Sequence, residues 1–191
     1  MTIATLRTLL VPYTKHLESD FLMLNVCAKN REHMNGPHTL SSARQLFQTL
    51  LDEPKLFSMA VLDIRTRELL GHVFVDDING QAELGFLFDK QYWNKGIATE
   101  VLQRFIPTAC SELGVRRLTA NVDVGHHSSI HLLEKFGFEL SGQYTNDHGP
   151  YLAFTTTFGK EEYENSTHKS PSSAPFLDNS HHPVPKTQIH K

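Results

Sequence analysis

The sequence predicts one α/β domain with a mixed, mostly antiparallel central sheet, and three observations support this fold class. Three successive segments with strand character are joined by short polar turns, which is typical of an antiparallel meander. A long amphipathic segment then leads to a further apolar strand, and a crossover of that length indicates a parallel, right-handed connection. The 191 residues are 39% hydrophobic and 20% charged, as expected for a single globular domain.

The first third of the chain is predicted to contain one strand, at residues 4–11, and two helices. Residues 15–30 form the first helix, whose apolar stripe consists of Leu17, Phe21, Leu24 and Ala28. After a turn-rich loop around Gly36, Ser41 is predicted to cap the second helix. The inward-facing residues of that helix are Ala43, Leu46, Phe47, Leu50 and Leu51.

The middle of the chain is predicted to form the rest of the meander and the crossover helix. Strands are expected at residues 57–62 and 68–75, followed by a fourth strand at residues 81–88. In that fourth strand one face carries Ala82, Leu84, Phe86 and Phe88, and the other carries Glu83, Gly85 and Leu87. From Gly96 the apolar period becomes helical, and the helix is expected to continue past Pro107 with a bend. Its apolar face consists of Ile97, Val101, Leu102, Phe105, Ile106, Ala109 and Leu113.

The last elements complete the sheet. They are a strand at 118–123, a short helix at 128–136, and two strands at 138–144 and 151–158. Beyond them Ser, Pro, His and Asn dominate, and too few large apolar residues remain to offset the entropy of ordering. The predicted organisation is therefore a folded domain at residues 1–160 and a disordered tail at residues 161–191.

The turn between the fourth strand and the long helix predicts an anion site. Gly96 allows the backbone to approach a ligand closely, and the first amides of the following helix have no intrahelical partner. Such a helix start most often binds phosphate or diphosphate. The chain contains neither the GxxxxGK(S/T) run of a P-loop nor the GxGxxG run of a dinucleotide fold.

Two segments carry a resemblance to a known family. Residues 83–86 (ELGF) together with residues 92–100 (YWNKGIATE) resemble the acetyl-CoA-binding core of the GNAT N-acetyltransferases. They are most similar to the branch that contains the Rim-type ribosomal-protein N-terminal acetyltransferases. In the wider signature, R/Q-x-x-G-x-G/A, the first position is Trp93 here, and the Rim-type branch often carries tryptophan there. Residues 128–138 (SSIHLLEKFGF) resemble the later N-x-x-S-x-x-LLEK-x-GF segment of the family.

The resemblance implies a GNAT fold in which the fourth and fifth strands are parallel and splayed around acetyl-CoA. Backbone amides at residues 94–99 would hold the diphosphate, and Leu87 and Phe88 would offer backbone groups to the pantetheine arm. An amide near Leu87 would polarise the thioester carbonyl. His126 stands where the family usually has an asparagine that bonds the coenzyme. Histidine can donate the same kind of bond, but its charge would vary near neutral pH, and three roles stay open: binding, titration or packing alone. The expected coenzyme-binding residues are Leu87, Phe88, Trp93, Asn94, Lys95, Gly96, Ile97, Ala98, Thr99, His126 and Ser129.

Two side chains are candidates for proton transfer. Glu83 matches a strand glutamate of the family that often acts as a base through water, although it could also be an ordinary charge on a solvated face. Ser129 matches a serine near the thiol and is the candidate acid; alternatively it only caps the short helix. Many relatives have a tyrosine at the position that Leu133 occupies here, so no tyrosine is carried over.

The implied activity is acetyl transfer to a primary amine, with a protein N-terminal α-amine of the ribosomal-protein type as the first expectation. A small amine, such as a polyamine, an amino-acid derivative or an antibiotic, is the second. The third expectation is a non-catalytic module that binds CoA, because His126 replaces asparagine and Leu133 replaces tyrosine. A homodimer is compatible with the sequence.

The sequence does not predict nucleic acid, a membrane or a metal ion as a partner. A formal net charge of −3 argues against nucleic acid as a partner. No apolar run reaches the ~20 residues of a membrane span and no cleavage signal opens the chain, so a cytoplasmic protein is predicted. His127 and His131 have the spacing of a zinc motif, but Ser128 replaces its glutamate and no third ligand is evident. Cys27 and Cys110 are expected to be buried thiols within helices.

Overall fold

A computed structural model describes residues 1–78 and 80–158. Within these residues the chain forms one eight-stranded sheet and four α-helices. The strands are β1 (Ile3–Ala4), β2 (Thr8–Val11), β3 (Leu56–Asp63), β4 (Leu69–Ile78), β5 (Gln81–Phe88), β6 (Arg117–Asp123), β7 (Glu139–Asn146) and β8 (Gly149–Thr157). The helices are α1 (Glu18–Val26), α2 (Leu40–Asp52), α3 (Ile97–Leu113) and α4 (His127–Lys135), with 3₁₀ turns at Lys15–Leu17 and Lys90–Tyr92.

The sheet has the order β1-β2-β3-β4-β5-β6-β8-β7, and among these neighbours only β5 and β6 run parallel within the described residues. The mixed α/β fold with one parallel pair confirms the predicted class. The predicted numbering of that pair, fourth and fifth, is wrong by one. The expected single strand at residues 4–11 is interrupted by a tight turn, in which the Thr5 amide donates to the Thr8 carbonyl at 2.9 Å.

The parallel pair separates soon after it begins. β5 and β6 are in register only at Ala82 with Leu118 and at Glu83 with Thr119. Beyond Glu83 the two strands diverge, so residues 84–88 and 120–123 line an open slot between them. α3 connects the two strands and begins beside the end of β5, which places a helix N-terminus at the wide end of this slot.

Each face of the sheet is covered by different helices. α3 covers one face, where its buried residues pack on alternate residues of the central strands, including Val73, Leu84 and Leu118. α1 and α2 cover part of the other face through Phe21, Phe47 and Leu50. The Phe74 ring lies over Gly85 on this second face, and a Cβ at Gly85 would overlap that ring. The region around Gly85 therefore requires a residue without a side chain.

Several local predictions are corrected. The first helix ends at Val26, because Cys27 is extended. Cys27 is only partly buried and lies outside the helix, whereas Cys110 is 1% exposed within α3, as expected. Thr39, not Ser41, caps α2, since its hydroxyl accepts from the Ser42 amide at 3.1 Å. In α2 the side chains at positions 46 and 51 are only half-buried.

Three further predictions concern the proline in α3, the C-terminal tail and membrane-spanning helices. α3 continues through Pro107, as predicted. The predicted tail at residues 161–191 lies outside the described residues. Among the described helices, none combines the length and apolar character needed to cross a bilayer.

Candidate active site

The connection from β5 to α3 has the geometry of an anion site. We call residues 93–99 the coenzyme loop. Asn94 and Gly96 both have left-handed backbones, with φ of 59° and 72°. Intrahelical bonding begins with the Glu100 amide, which donates to the Gly96 carbonyl at 3.1 Å, so the preceding amides are directed outward. A Cβ at Gly96 would meet only the Arg7 guanidinium, at 3.5 Å, which leaves room above the glycine for a ligand.

The side chains of the coenzyme loop have different environments. Ile97 is 7% exposed and anchors the loop in the α3 core. Asn94 and Lys95 are exposed, and the Lys95 ammonium lies 5.6 Å from the centre of the Tyr92 ring. Ala98 and Thr99 are half-buried in the first turn of α3. A diphosphate at this loop would therefore contact backbone amides first and the Lys95 charge second.

Trp93 joins the coenzyme loop to the slot between β5 and β6. Its indole Nε1 donates to the Phe88 carbonyl at 2.8 Å. The side chains of Leu87 and Phe88 are 4% and 7% exposed, so they belong to the protein interior. The Phe88 carbonyl therefore already accepts one side-chain hydrogen bond at the end of β5.

Glu83 lies at the point where β5 and β6 separate. It is half-buried on the face that α1 and α2 partly cover, and it stands directly opposite Asp76 of β4. Asp76 is 7% exposed. Burial raises the pKa of the Asp76 carboxyl, and the neighbouring carboxylates of Glu53 and Asp77 raise it further. The predicted base therefore has a second carboxyl group beside it, which the sequence analysis missed.

The segment between α1 and α2 crosses the open end of the slot. We call residues 27–36 the strap. On the β5 side, Asn30 accepts from the Lys90 amide at 2.9 Å and donates to the Asp89 carboxylate at 3.0 Å. On the β6 side, His33 stacks on His126 with ring centroids 4.5 Å apart. The strap thus contacts the ends of both diverging strands.

The strap is held in shape by a buried arginine. Arg31 is 4% exposed and donates to the Asn25 side chain at 3.1 Å, to the Met34 carbonyl at 2.8 Å and to the Gly36 carbonyl at 2.8 Å. Burial lowers the pKa of Arg31 to about 10, so the guanidinium stays charged at neutral pH. The sequence did not predict these roles of Asn30, Arg31 and His33, since a polar loop between helices carries no local signal of what it will contact.

Residues 7–139, more than half of the chain, match the sequence model of the acetyltransferase (GNAT) domain. The chain belongs to the GNAT acetyltransferase family. The resemblance predicted from the two sequence segments is therefore confirmed. Proteins of this family use acetyl-CoA as the acetyl donor.

Curated relatives and solved structures agree with the family assignment. An uncharacterized N-acetyltransferase of Bacillus licheniformis, p20, is 29% identical over 109 residues, which cover 54% of this chain and 61% of that relative. An uncharacterized N-acetyltransferase of Bacillus subtilis, YoaA, is 29% identical over 127 residues, covering 63% of this chain and 72% of the relative. The chain thus spans less than two thirds of the first relative's length.

Two solved structures share the fold. The spermidine N-acetyltransferase of Vibrio cholerae, in complex with CoA and spermine, superposes with a TM-score of 0.72 at 16% identity, over 83% of this chain and 99% of that one. The ribosomal-protein-S5-alanine acetyltransferase of Vibrio fischeri has a TM-score of 0.68 at 14% identity, over 84% and 98% of the two chains. At such identities the likeness shows the fold alone.

His126 and Ser129, two of the predicted coenzyme-binding residues, are in contact. The Ser129 hydroxyl lies 3.2 Å from Nε2 of His126, and Ser129 is 6% exposed in the first turn of α4. The alternative that Ser129 caps α4 is wrong, because no side chain caps that helix start. Burial, and secondarily the charge of His33, lowers the pKa of His126 to about 4, against the opposing effects of Asp123 and Glu32. The expectation of a charge that varies near neutral pH is therefore wrong.

The other motif histidines form no metal site in the described part of the chain. His127 and His131 are exposed on α4. Among residues 1–78 and 80–158, no group of three or more His, Cys, Asp or Glu side chains is arranged to hold a metal ion. Leu133, at the position where many relatives have tyrosine, is fully buried in the core and has no polar atom to offer.

Proposed function

We propose that this protein transfers the acetyl group of acetyl-CoA to a primary amine, most favourably to the N-terminal α-amine of a protein, as in ribosomal-protein-alanine acetylation. One observation carries the proposal: the slot between β5 and β6 opens at Glu83 and ends beside the coenzyme loop. The outward amides and the open space above Gly96 fit a diphosphate, and the slot fits an extended arm. Direct attack would form the C–N bond as the C–S bond breaks.

The proton transfers are assigned to residues around the slot. Glu83 takes the proton that the attacking amine loses, directly or through a water molecule. The backbone amide near Leu87 stabilises the negative charge that develops on the carbonyl oxygen. Ser129, held by the neutral His126 ring, donates a hydrogen bond to the leaving sulfur and relays a proton to it, taking a proton in turn from a solvent water molecule. Acetyl-CoA supplies the activated thioester.

The pKa of the acceptor favours an α-amine. An α-amine with a pKa of ~8 needs only ~1.4 kcal/mol to become neutral at pH 7, whereas a lysine amine at ~10.4 needs ~4.6 kcal/mol. One carboxylate acting through water can meet the first requirement more easily than the second. We therefore propose protein N-terminal amines as acceptors in preference to lysine-like amines.

A second acceptor class is supported by the pair of carboxyl groups on one face. Asp76 lies directly across from Glu83, and burial raises its pKa, with Glu53 and Asp77 raising it further. A polycationic small amine bound near this pair would reduce the repulsion among these groups. We therefore keep a polyamine-like acceptor as the alternative, together with amino-acid derivatives and antibiotics that carry amines.

The test is a turnover assay with acetyl-CoA across N-terminal peptides and small amines, with CoA binding measured separately by calorimetry. Faster turnover of peptides with a free α-amine than of peptides with only a lysine amine supports the first class. Turnover of spermidine or similar amines alone supports the second. CoA binding without any turnover would leave a non-catalytic CoA-binding module, and the absence of CoA binding would overturn the proposal.

Location and assembly are included in the proposal. We propose a cytoplasmic enzyme, where acetyl-CoA and unblocked N-termini are both present. A homodimer is proposed as the assembly to test by light scattering of the full chain.

A further inference from the structure

The first turn of α3 is tied to the N-terminal segment by a partly buried carboxylate. The Glu100 side chain is 17% exposed and accepts three hydrogen bonds. Arg7 donates two of them, from its amide at 2.7 Å and from Nε at 2.6 Å, and the Thr5 hydroxyl donates the third at 2.5 Å. These donors lie in and beside the turn between β1 and β2, more than 90 residues away in sequence. No step of the proposed reaction uses these bonds.

The same arginine also contacts the backbone of the coenzyme loop. Nη1 of Arg7 donates to the Lys95 carbonyl at 2.8 Å, and Nη2 lies 3.5 Å from the position that a Cβ on Gly96 would take. The Lys95 carbonyl stands between the two left-handed residues, Asn94 and Gly96. A non-glycine residue in that conformation is disfavoured unless its surroundings hold it. The hydrogen bond from Arg7 to the Lys95 carbonyl stabilises the turn between these two residues.

The electrostatics of the pair also suit an anion site. The first turn of α3 carries the partial positive charge of a helix N-terminus, which favours a bound anion. Glu100 by itself would place a negative charge in that turn. Burial is the largest single influence on the Glu100 pKa and raises it, but the bonds from Thr5 and Arg7 outweigh burial, and the pKa is lowered. The carboxylate is therefore ionised, and the Arg7 guanidinium compensates its charge beside the loop.

We propose that Arg7 and Glu100 are positioning residues that hold the coenzyme loop in the shape that binds the diphosphate of CoA. This inference rests on the proposed function, because it assigns the loop to CoA. The simpler explanation is that the pair only docks the N-terminal strands onto α3. The two explanations differ in one respect: a positioning pair acts on ligands that carry the diphosphate and spares ligands that lack it.

The experiment compares CoA, which carries the diphosphate, with S-acetylpantetheine, which does not. Glu100→Gln removes the charge that fixes Arg7, and Arg7→Lys keeps the charge but loses the planar fork that donates in two directions. We expect the Kd for CoA, measured by calorimetry, and the KM for acetyl-CoA to rise about tenfold in each variant, as for the loss of a charged hydrogen bond. kcat with acetyl-CoA, and kcat/KM with S-acetylpantetheine, should change by less than about twofold.

A control variant and the wild-type protein distinguish a failure of the positioning role from a failure of the proposed function. Arg44→Met removes a comparable ion pair, which Arg44 makes with Glu18 at 3.1 Å between α2 and α1, and should leave CoA binding unchanged. If wild-type protein does not bind CoA, the proposed function fails. If wild-type binds CoA and both variants bind it equally well, the positioning role is wrong. Equal losses with CoA and S-acetylpantetheine would also overturn it. Should Glu100→Gln not fold in a thermal scan, Arg7→Lys decides the question.

Discussion

The imidazole rings of His33 and His126 stack with an interplanar angle of 18° and centroids 4.5 Å apart. The contact joins the strap to the end of β6. His33 also lies 3.7 Å from an oxygen of Asp123 and 3.8 Å from an oxygen of Glu32, close enough for electrostatic attraction when it is protonated. Because two stacked imidazolium ions would repel, the stack favours a neutral His126.

The first prediction concerns stability at acidic pH. The folded pKa of His126, about 4, lies below the ordinary value of 6.5, so the unfolded chain binds more protons between these values. The contribution of neutral His126 to stability is complete above pH 6.5 and is lost as the pH falls toward 4. We expect Tm to fall less steeply over this range in His126→Asn than in the wild type.

A second buried histidine and a control variant affect how these Tm curves are compared. Burial lowers the pKa of His72 to about 3, so some acid loss of the same sign persists in every variant. His131→Asn, on the exposed face of α4, is the matched control and should follow the wild-type curve. Parallel Tm curves for His126→Asn and the wild type would contradict the prediction.

The second prediction tests the pair of carboxyl groups at the start of the slot. Glu83→Gln should lower kcat by about a hundredfold or more, the typical contribution of a general base. The loss should be largest at low pH, where more of the acceptor amine is protonated. Asp76→Asn, directly across the ladder, removes the neighbouring carboxyl but keeps the base, and should lower kcat by less than about tenfold. An unchanged profile in Glu83→Gln would remove that residue from proton transfer.

The third prediction concerns Trp93. Trp93→Phe keeps an aromatic ring but loses the 2.8 Å bond from Nε1 to the Phe88 carbonyl. Since a hydrogen bond contributes about 1 kcal/mol net, we expect the KM for acetyl-CoA to rise about fivefold with little change in kcat. Trp93→Ala also removes the ring beneath the Lys29 ammonium, 5.8 Å away, and should raise the KM for acetyl-CoA further. An unchanged KM for acetyl-CoA in Trp93→Phe, measured by steady-state kinetics, would contradict this prediction.

The fourth prediction tests the strap. Asn30 is 4% exposed and bonds the Lys90 amide, the Asp89 carboxylate and, at 3.3 Å, the Leu24 carbonyl. Asn30→Ala removes one buried and two partly buried hydrogen bonds, so we expect a loss of about 1–3 kcal/mol in the free energy of unfolding, measured by urea titration. The KM for the amine should rise more than the KM for acetyl-CoA. Gln48→Ala, which breaks an exposed 2.6 Å bond to Asp52 on α2, serves as the control and should change neither.

Local patterns along the chain predicted the central unit well. The alternation in residues 81–88, the change to a helical period after Gly96 and the two motif segments all depend on neighbours within a few residues. Such short-range preferences act on the chain before it folds, which is why β5, the coenzyme loop and α3 appear where they were expected. Where two signals competed within one turn, as for Ser41 and Thr39, the prediction was wrong by about two residues.

Contacts between distant segments decided the rest. Strand register placed Asp76 against Glu83, the path of the strap brought His33 onto His126, and folding of the N-terminal turn against α3 joined Arg7 to Glu100. None of these pairs shares a local pattern, since each forms only when topology and packing bring two separately folded segments together. The amino-acid sequence thus predicted the turn before α3 and the family of the chain, whereas the surroundings of Glu83, His126 and Glu100 depend on the tertiary arrangement.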